Sequence, residues 1–224
     1  MSDPAPISAS GLHRFYRQGD SEVAALLDVG LTAAAGETLA VTGPSGSGKS
    51  TLLALLAGLD SPDGGRVDLC GQRLSGLTER QAAQARARHI GVLTQASGLL
   101  GHLDVLGNVR LAAALRPHGD GPSPEELLDR LGLEGRHRAR PAQLSGGETA
   151  RAGLAVALAG SPDVLLADEP TAEVSQDEEE QVLDLLAECR PRTGATILVT
   201  HSAAVAARAD RILQLRDGRL VATS

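Results

Sequence analysis

Aromatic side chains are almost missing from this chain: they make up 1% of its 224 residues, with one Tyr, one Phe and no Trp. Any core must therefore be built from Leu, Val, Ile and Ala. Cysteine is scarce as well, and Cys70 and Cys189 are too few and too far apart to suggest a disulfide framework or a metal site. Apolar runs such as Val164-Leu165-Leu166-Ala167 fall far short of the roughly 20 residues that cross a bilayer. The N-terminus shows no charged, apolar, small-residue pattern of a secretory signal, and the expectation is a cytoplasmic chain. Positive charge is in deficit: the formal net charge of −7 argues against a chain that coats nucleic acid or clings to acidic lipid by itself. The basic clusters at Arg86 and Arg88, and at Arg136, Arg138 and Arg140, read as solvated helix ends or loops. Lysine is the scarcest charge of all. Lys49 stands alone among arginines, which suggests a site where a compact ammonium fits and a planar guanidinium does not.

What is present is ordinary globular material, 42% hydrophobic and long enough for a sizeable core. Leu39-Ala40-Val41-Thr42 reads as a buried strand, and Lys49 to Leu59 as a helix with leucines at helical spacing, ended by Gly58 and a turn-rich segment. Val67 to Cys70 and His89 to Thr94 read as strands on either side of a polar helix from Thr78 to Arg88. Residues from about 96 to 160 read as mostly helical, divided by a loop at Arg116 to Pro122. Ser123-Pro124-Glu125-Glu126 has the form of a capping box. Val164 to Ala167 and Thr196 to Thr200 read as buried parallel strands joined through a helix at Gln181 to Cys189. A hairpin with Asp217-Gly218 at its turn closes the chain, between Ile212 to Leu215 and Leu220 to Ala222. The alternation predicts one α/β domain over residues 1–224, with a helical subdomain inserted at roughly 96–160.

The glycine-rich segment after the first of these strands carries chemistry. Gly43, Gly48, Lys49 and Ser50 satisfy G-x-x-x-x-G-K-[ST], with Pro44, Ser45, Gly46 and Ser47 between and Thr51 following. Glycines let backbone N–H groups face one anion, and the helix behind adds its free donors and the positive end of its dipole. Lys49 can reach the β and γ phosphates, and the Ser50 hydroxyl can ligate Mg²⁺.

Asp168 and Glu169 follow the strand at Val164, where ligands of a parallel sheet sit. Asp168 suits Mg²⁺, and Glu169 suits orientation or deprotonation of an attacking water. His201 stands in the same relation to the strand ending at Thr200; by spacing alone it is either a γ-phosphate contact or a surface residue. Ser145-Gly146-Gly147-Glu148 opens another helix, as a plain N-cap or as a second anion site.

Taken in order, GPSGSGKST, Gln95, LSGGE, VLLADEPT and His201 resemble the nucleotide-binding subunit of ABC transporters, over about residues 10 to 222. Tyr16-Arg17-Gln18-Gly19, VAALLDVGLTAAAGE and HLDVLGNV are similar to the lipoprotein-release and macrolide-export branch. The resemblance implies a P-loop NTPase fold: a mostly parallel central sheet, a small N-terminal antiparallel β-subdomain and an inserted α-helical subdomain. It implies an ATPase that drives a separate transmembrane permease from the inner face of the membrane. Tyr16 would stack on adenine, and Gly43 to Thr51 would hold the phosphates. Ser50, Gln95 and Asp168 would serve Mg²⁺, Glu169 would be the general base, and His201 would meet the γ-phosphate. Ser145, Gly146, Gly147 and Glu148 would complete the site of a second, head-to-tail copy or homologous subunit. A regulatory ATP-binding module of weak activity and a soluble ABC-type ATPase outside transport are the alternatives.

Three positions depart from the family pattern. Glu148 replaces a glutamine, Val156 stands where arginine is common, and Ser175 replaces an aspartate that links the two ATP sites. Asp177 is the candidate to supply the missing carboxylate by a local shift.

Overall fold

The computed structural model describes residues 4–19, 21–95, 98–116 and 121–221. In chain order these form β1 (Ile7–Gln18), β2 (Ser21–Ala33), β3 (Thr38–Thr42), α1 (Lys49–Leu56), β4 (Gly64–Leu69), β5 (Gln72–Arg73), α2 (Glu79–His89) and β6 (Ile90–Leu93). There follow α3 (Val105–Ala114), α4 (Pro124–Arg130), α5 (Gly146–Leu158), β7 (Val164–Asp168), α6 (Gln176–Cys189), β8 (Ala195–Thr200), α7 (Ala203–Ala206), β9 (Arg211–Arg216) and β10 (Arg219–Val221).

The short aliphatic strands make the centre. β3, β7 and β8 are buried along almost their whole length, as strands covered on both faces must be. They lie in a six-stranded sheet of order β10-β9-β3-β8-β7-β6. Five strands of it run parallel, and β10 folds back on β9 as the Asp-Gly turn predicts. A second, antiparallel sheet has the order β2-β1-β4-β5. Helix α1 is packed between the two: Leu52, Leu55 and Leu56 share one cluster with Leu12 and Leu26 of the antiparallel sheet and Leu39, Val41 and Ile197 of the parallel one. A second aliphatic cluster joins Val105, Val109, Leu128 and Leu154 of the inserted helices to Leu165 and Leu198. Each such side chain contributes about 1.5–3 kcal/mol on burial, so Leu, Val, Ile and Ala supply a core without aromatic help.

Several boundaries differ from the sequence reading, each for a local reason. Helix α1 stops at Leu56 because Gly58 takes a left-handed conformation at φ 61°, and Leu59 is left exposed. Cys70 is no strand residue: with Gly71 it forms the tight turn between β4 and β5, both at positive φ. Helix α6 begins at Gln176 rather than Gln181, since its first turn is acidic and has no apolar periodicity. The capping box at Ser123 and Glu126 is formed, with N–H to side-chain distances of 2.8 and 3.2 Å. Residues 96, 97, 117–120 and 222, touched by the expected helical stretch, dividing loop and last strand, lie outside the described residues. The arginine clusters serve structure: Arg86 binds the Gly58 carbonyl and Glu79, and Arg136 binds Glu148.

Candidate active site

Parallel packing brings the carboxyl ends of β3, β6, β7 and β8 to one edge, and the residues that follow each strand meet there. They line a cleft of about 630 Å³ with Tyr16, Ser45, Gly46, Gly48, Lys49, Ser50, Thr51, Gln95, Asp168, Glu169 and His201 on its walls. Gly43, Pro44 and Ser47 of the same loop do not line this wall, and Ser145 to Glu148 lie outside the cleft.

The loop after β3 is shaped by close approaches. A Cβ on Gly43 would sit 2.1 Å from the Leu215 carbonyl oxygen, and one on Gly48 would sit 2.4 Å from that of Ala25. Gly48 also has φ 104°, a conformation that L side chains avoid. The β9–β10 hairpin braces the loop from behind, because the Gly218 N–H donates to the Ser47 carbonyl at 3.1 Å. Helix α1 thus starts at a glycine with no side chain capping it, whereas Thr78, Asp104, Ser123 and Ser145 cap α2 to α5. Its first-turn N–H groups are left for an outside acceptor. The Ser47 hydroxyl is buried with no hydrogen-bond partner among the described residues.

Lys49 is 9% exposed, and its ammonium donates to the Gly43 and Pro44 carbonyls at 2.8 and 2.9 Å. A buried cation whose hydrogen bonds go to neutral carbonyls favours an incoming anion. A triphosphate fits this cradle on two counts: the uncapped donors at the head of α1 and a buried ammonium whose hydrogen bonds go to backbone carbonyls.

The Ser50 hydroxyl faces the Asp168 carboxyl closely enough to act on its charge. Burial lifts the carboxyl above the ordinary range; the Ser50 hydroxyl pulls it back, the Glu169 charge raises it again, and Lys49 lowers it. An oxygen-ligand pair of this kind, with one carboxylate whose charge is disfavoured, fits Mg²⁺.

Glu169 is held more tightly than its neighbour. It sits at φ 47°, its N–H donates to the Val199 carbonyl, and its side chain is turned toward β8. There it accepts the Thr200 hydroxyl at 2.9 Å and the His201 backbone N–H at 3.0 Å, and pairs with His201 Nδ1 at 2.6 Å. A non-glycine residue in this region costs about 1–3 kcal/mol, and such outliers collect where function fixes an orientation. Tyr16 lies at the mouth, 40% exposed, its hydroxyl on Asp60 at 3.0 Å and the Arg14 guanidinium 4.8 Å from its ring centre.

The comparisons with known proteins agree with this geometry. The family model for the ABC transporter matches residues 26–172, from the rim of the cleft to just past its acidic pair. The chain belongs to the ABC transporter family. It is 46% identical over 213 residues to YbbA, an uncharacterized ABC transporter ATP-binding protein of Escherichia coli (strain K12), covering 93% of each chain. It is 42% identical over 229 residues to LolD, the lipoprotein-releasing system ATP-binding protein of Ruegeria pomeroyi, covering all of both. MacB, the macrolide export ATP-binding/permease protein of Hahella chejuensis, is 40% identical over 225 residues, 99% of this chain and 34% of that protein. Among solved structures, the dimeric, post-hydrolysis ATP-binding cassette MJ0796 bound to ADP and Pi superposes with a TM-score of 0.88 at 31% identity, covering 96% of this chain and 97% of that one.

This ABC transporter subunit binds and hydrolyses ATP, with the mixed architecture that its motifs imply. Two contributors escaped the sequence reading. Thr200, the last residue of β8, anchors Glu169, and its place one residue before His201 was the available signal. Glu178 reaches both Ser145 and Ser175, at 3.2 and 3.0 Å, and nothing in its spacing marked it. Ser145 to Glu148 meet instead in a capping box at the start of α5.

Proposed function

We propose that this subunit hydrolyses ATP at a site shared between two copies, with each cleft completed by Ser145, Gly146, Gly147 and Glu148 of the other copy. The supporting observation is the division of the motifs: the phosphate loop, Gln95, Asp168, Glu169 and His201 share one cleft, while the second anion-type cluster lies outside it on α5. A cleft with one wall open to solvent leaves a phosphate half-surrounded, and a two-fold partner presenting α5 closes it.

Within that reading, the loop amides and Lys49 cradle the phosphates, and Tyr16 offers its ring to the adenine. Ser50 and Asp168 hold Mg²⁺ with Gln95 beside them, and the ion supplies charge neutralisation across the phosphates. Glu169, fixed by Thr200 and His201, takes the proton of the attacking water, and His201 faces the γ-phosphate. The chain acts as one ATPase domain over residues 1–224, with the helical subdomain at about 96–160 carrying α5 toward the partner copy. Among the described residues no helix is long and apolar enough to cross a membrane. The membrane is reached through a separate permease, on its inner face, and the net charge of −7 disfavours nucleic acid as a partner. The names of LolD and MacB support a permease of the lipoprotein-release or macrolide-export kind.

Affinity capture of the tagged chain from detergent-solubilised membranes of its own cell tests this. The expected co-purifying protein has several apolar segments of about 20 residues, and it stimulates ATP turnover when added back. Recovery of the chain with ribosomes or DNA, and with no membrane protein, contradicts the transport role.

A further inference from the structure

Ser145 has one hydroxyl proton, and in this structure it is already committed. Its Oγ accepts the Glu148 N–H at 3.1 Å and donates to Glu178 Oε1 at 3.2 Å. The other oxygen of the same carboxylate accepts the Ser175 hydroxyl at 3.0 Å. Glu178 therefore ties the head of α5 to the residue that departs from the family pattern. Serine suits that place where aspartate does not, because a second carboxylate at 175 would repel Glu178 while a hydroxyl gives it a proton. The carboxylate that meets both Ser145 and Ser175 is that of Glu178, in the first turn of α6.

The position of this carboxylate has a consequence for the reaction. A Cβ built on Gly147 would lie 2.6 Å from Glu178 Oε1 and 2.7 Å from its Cδ. The carboxylate thus rests directly against the backbone at the start of α5, in the space that glycine leaves open. Helix N-termini attract anions, and here the chain supplies one of its own. An arriving γ-phosphate needs the same Ser145 proton and the same positive backbone end, and it carries the same sign of charge as Glu178.

The geometry points to Glu178 as an internal competitor for the partner-facing anion site, holding Ser145 until the γ-phosphate of the opposite subunit's ATP displaces it. Glu178 is a positioning residue that sets the ATP threshold for dimer closure. This rests on the reading that Ser145 to Gly147 complete the cleft of a second copy. Ser175 joins the device by holding the second carboxylate oxygen, so the departure at that position adjusts closure rather than abolishing it.

The test uses the full chain carrying Glu169→Gln, which retains ATP, and follows ATP-dependent dimerisation by sedimentation velocity. Adding Glu178→Gln removes the charge at constant shape and is expected to lower the half-saturating ATP concentration by about tenfold, from the loss of one like-charge contact near 4 Å in a wet interface. The gain shrinks at high salt, because screening removes the same repulsion. A purely structural tie would not respond to salt in this way. Glu178→Asp keeps the charge and lowers the threshold less than Glu178→Gln does. Should Glu178→Gln lower the melting temperature of the ATP-free chain, Glu178→Ala, which has neither charge nor hydrogen-bonding group, gives the same comparison. An unchanged or raised ATP requirement in the charge-free variants overturns the inference. Absence of any ATP-driven dimer in the Glu169→Gln parent is a different result: it refutes the two-copy site itself, and the inference goes with it.

Discussion

Replacing Glu169 with glutamine separates geometry from chemistry at one atom. Glutamine has the same shape, and its carbonyl oxygen can still accept the His201 N–H and Nδ1–H now bound by Oε1 at 3.0 and 2.6 Å. Its amide can donate to Thr200 Oγ1, reversing the bond that Thr200 now donates at 2.9 Å. Bonds to a charged acceptor are stronger than neutral ones by about 1 kcal/mol each, which argues for a loss of stability. Removing one of two adjacent carboxylates, whose charges oppose each other, argues for a gain. The two nearly cancel, and the melting temperature is expected to move by no more than a few degrees. Turnover behaves differently. A positioned general base contributes about 10²–10⁴-fold, equivalent to about 3–5 kcal/mol of barrier, and glutamine accepts no proton at neutral pH. Phosphate release by the purified variant, measured alongside ATP binding by equilibrium dialysis, should fall at least a hundredfold with affinity retained within a few-fold. Turnover within tenfold of the parent would falsify the assignment of Glu169 as the base.

Other perturbations follow from particular contacts. Gly48→Ala forces a Cβ to 2.4 Å from the Ala25 carbonyl at φ 104°, so it should cost at least about 1–2 kcal/mol and weaken ATP binding, read by thermal melts with and without nucleotide. Asp168→Asn should raise the melting temperature of the nucleotide-free chain at neutral pH while weakening its response to Mg²⁺. The sign follows from the raised carboxyl: the folded state holds the Asp168 proton more tightly than the unfolded one, so the charged form is a burden above the folded pKa. The advantage of asparagine should shrink as pH falls through that value, and an advantage that grows in acid would contradict it. The Cys70 thiol, pushed up to about 11 by burial and then by Asp163, should alkylate slowly at neutral pH, with a rate that climbs until about pH 11. A fast rate at neutral pH, followed by mass spectrometry on the folded chain, would refute that placement.

The cleft was more legible in the sequence than the scaffold around it. The phosphate loop, Gln95, Glu169 and His201 each follow a strand of the parallel sheet and Asp168 ends one, so one-dimensional spacing already carries their three-dimensional meeting. β1 and β2 were not read from periodicity, and the reason is visible in their pairing. Their register shifts between Ala9 and Leu12, Leu12 and Arg14, and Arg14 and Phe15, and each shift breaks the alternation that marks a strand. The start of α6 was hidden in the same way by Asp177, Glu178 and Glu179, an acidic first turn suited to the helix dipole but silent in hydrophobicity. The contact of Glu178 with Ser145 spans 33 residues and depends on how α5 and α6 pack, which no local pattern encodes.

The central claim is that a working site takes Lys49 from one copy and Ser145 from another, and mixing two inactive variants tests it directly. Chains with Lys49→Ala lack the phosphate cation, and chains with Ser145→Ala lack the partner-facing hydroxyl, so each alone should hydrolyse ATP poorly. In a head-to-tail heterodimer of the two, both defects fall in one cleft and the other is intact. An equal mixture should therefore regain about a quarter of the parent's sites, since about half the dimers are mixed and each has one whole cleft. Turnover equal to the simple sum of the separate variants would contradict the shared site.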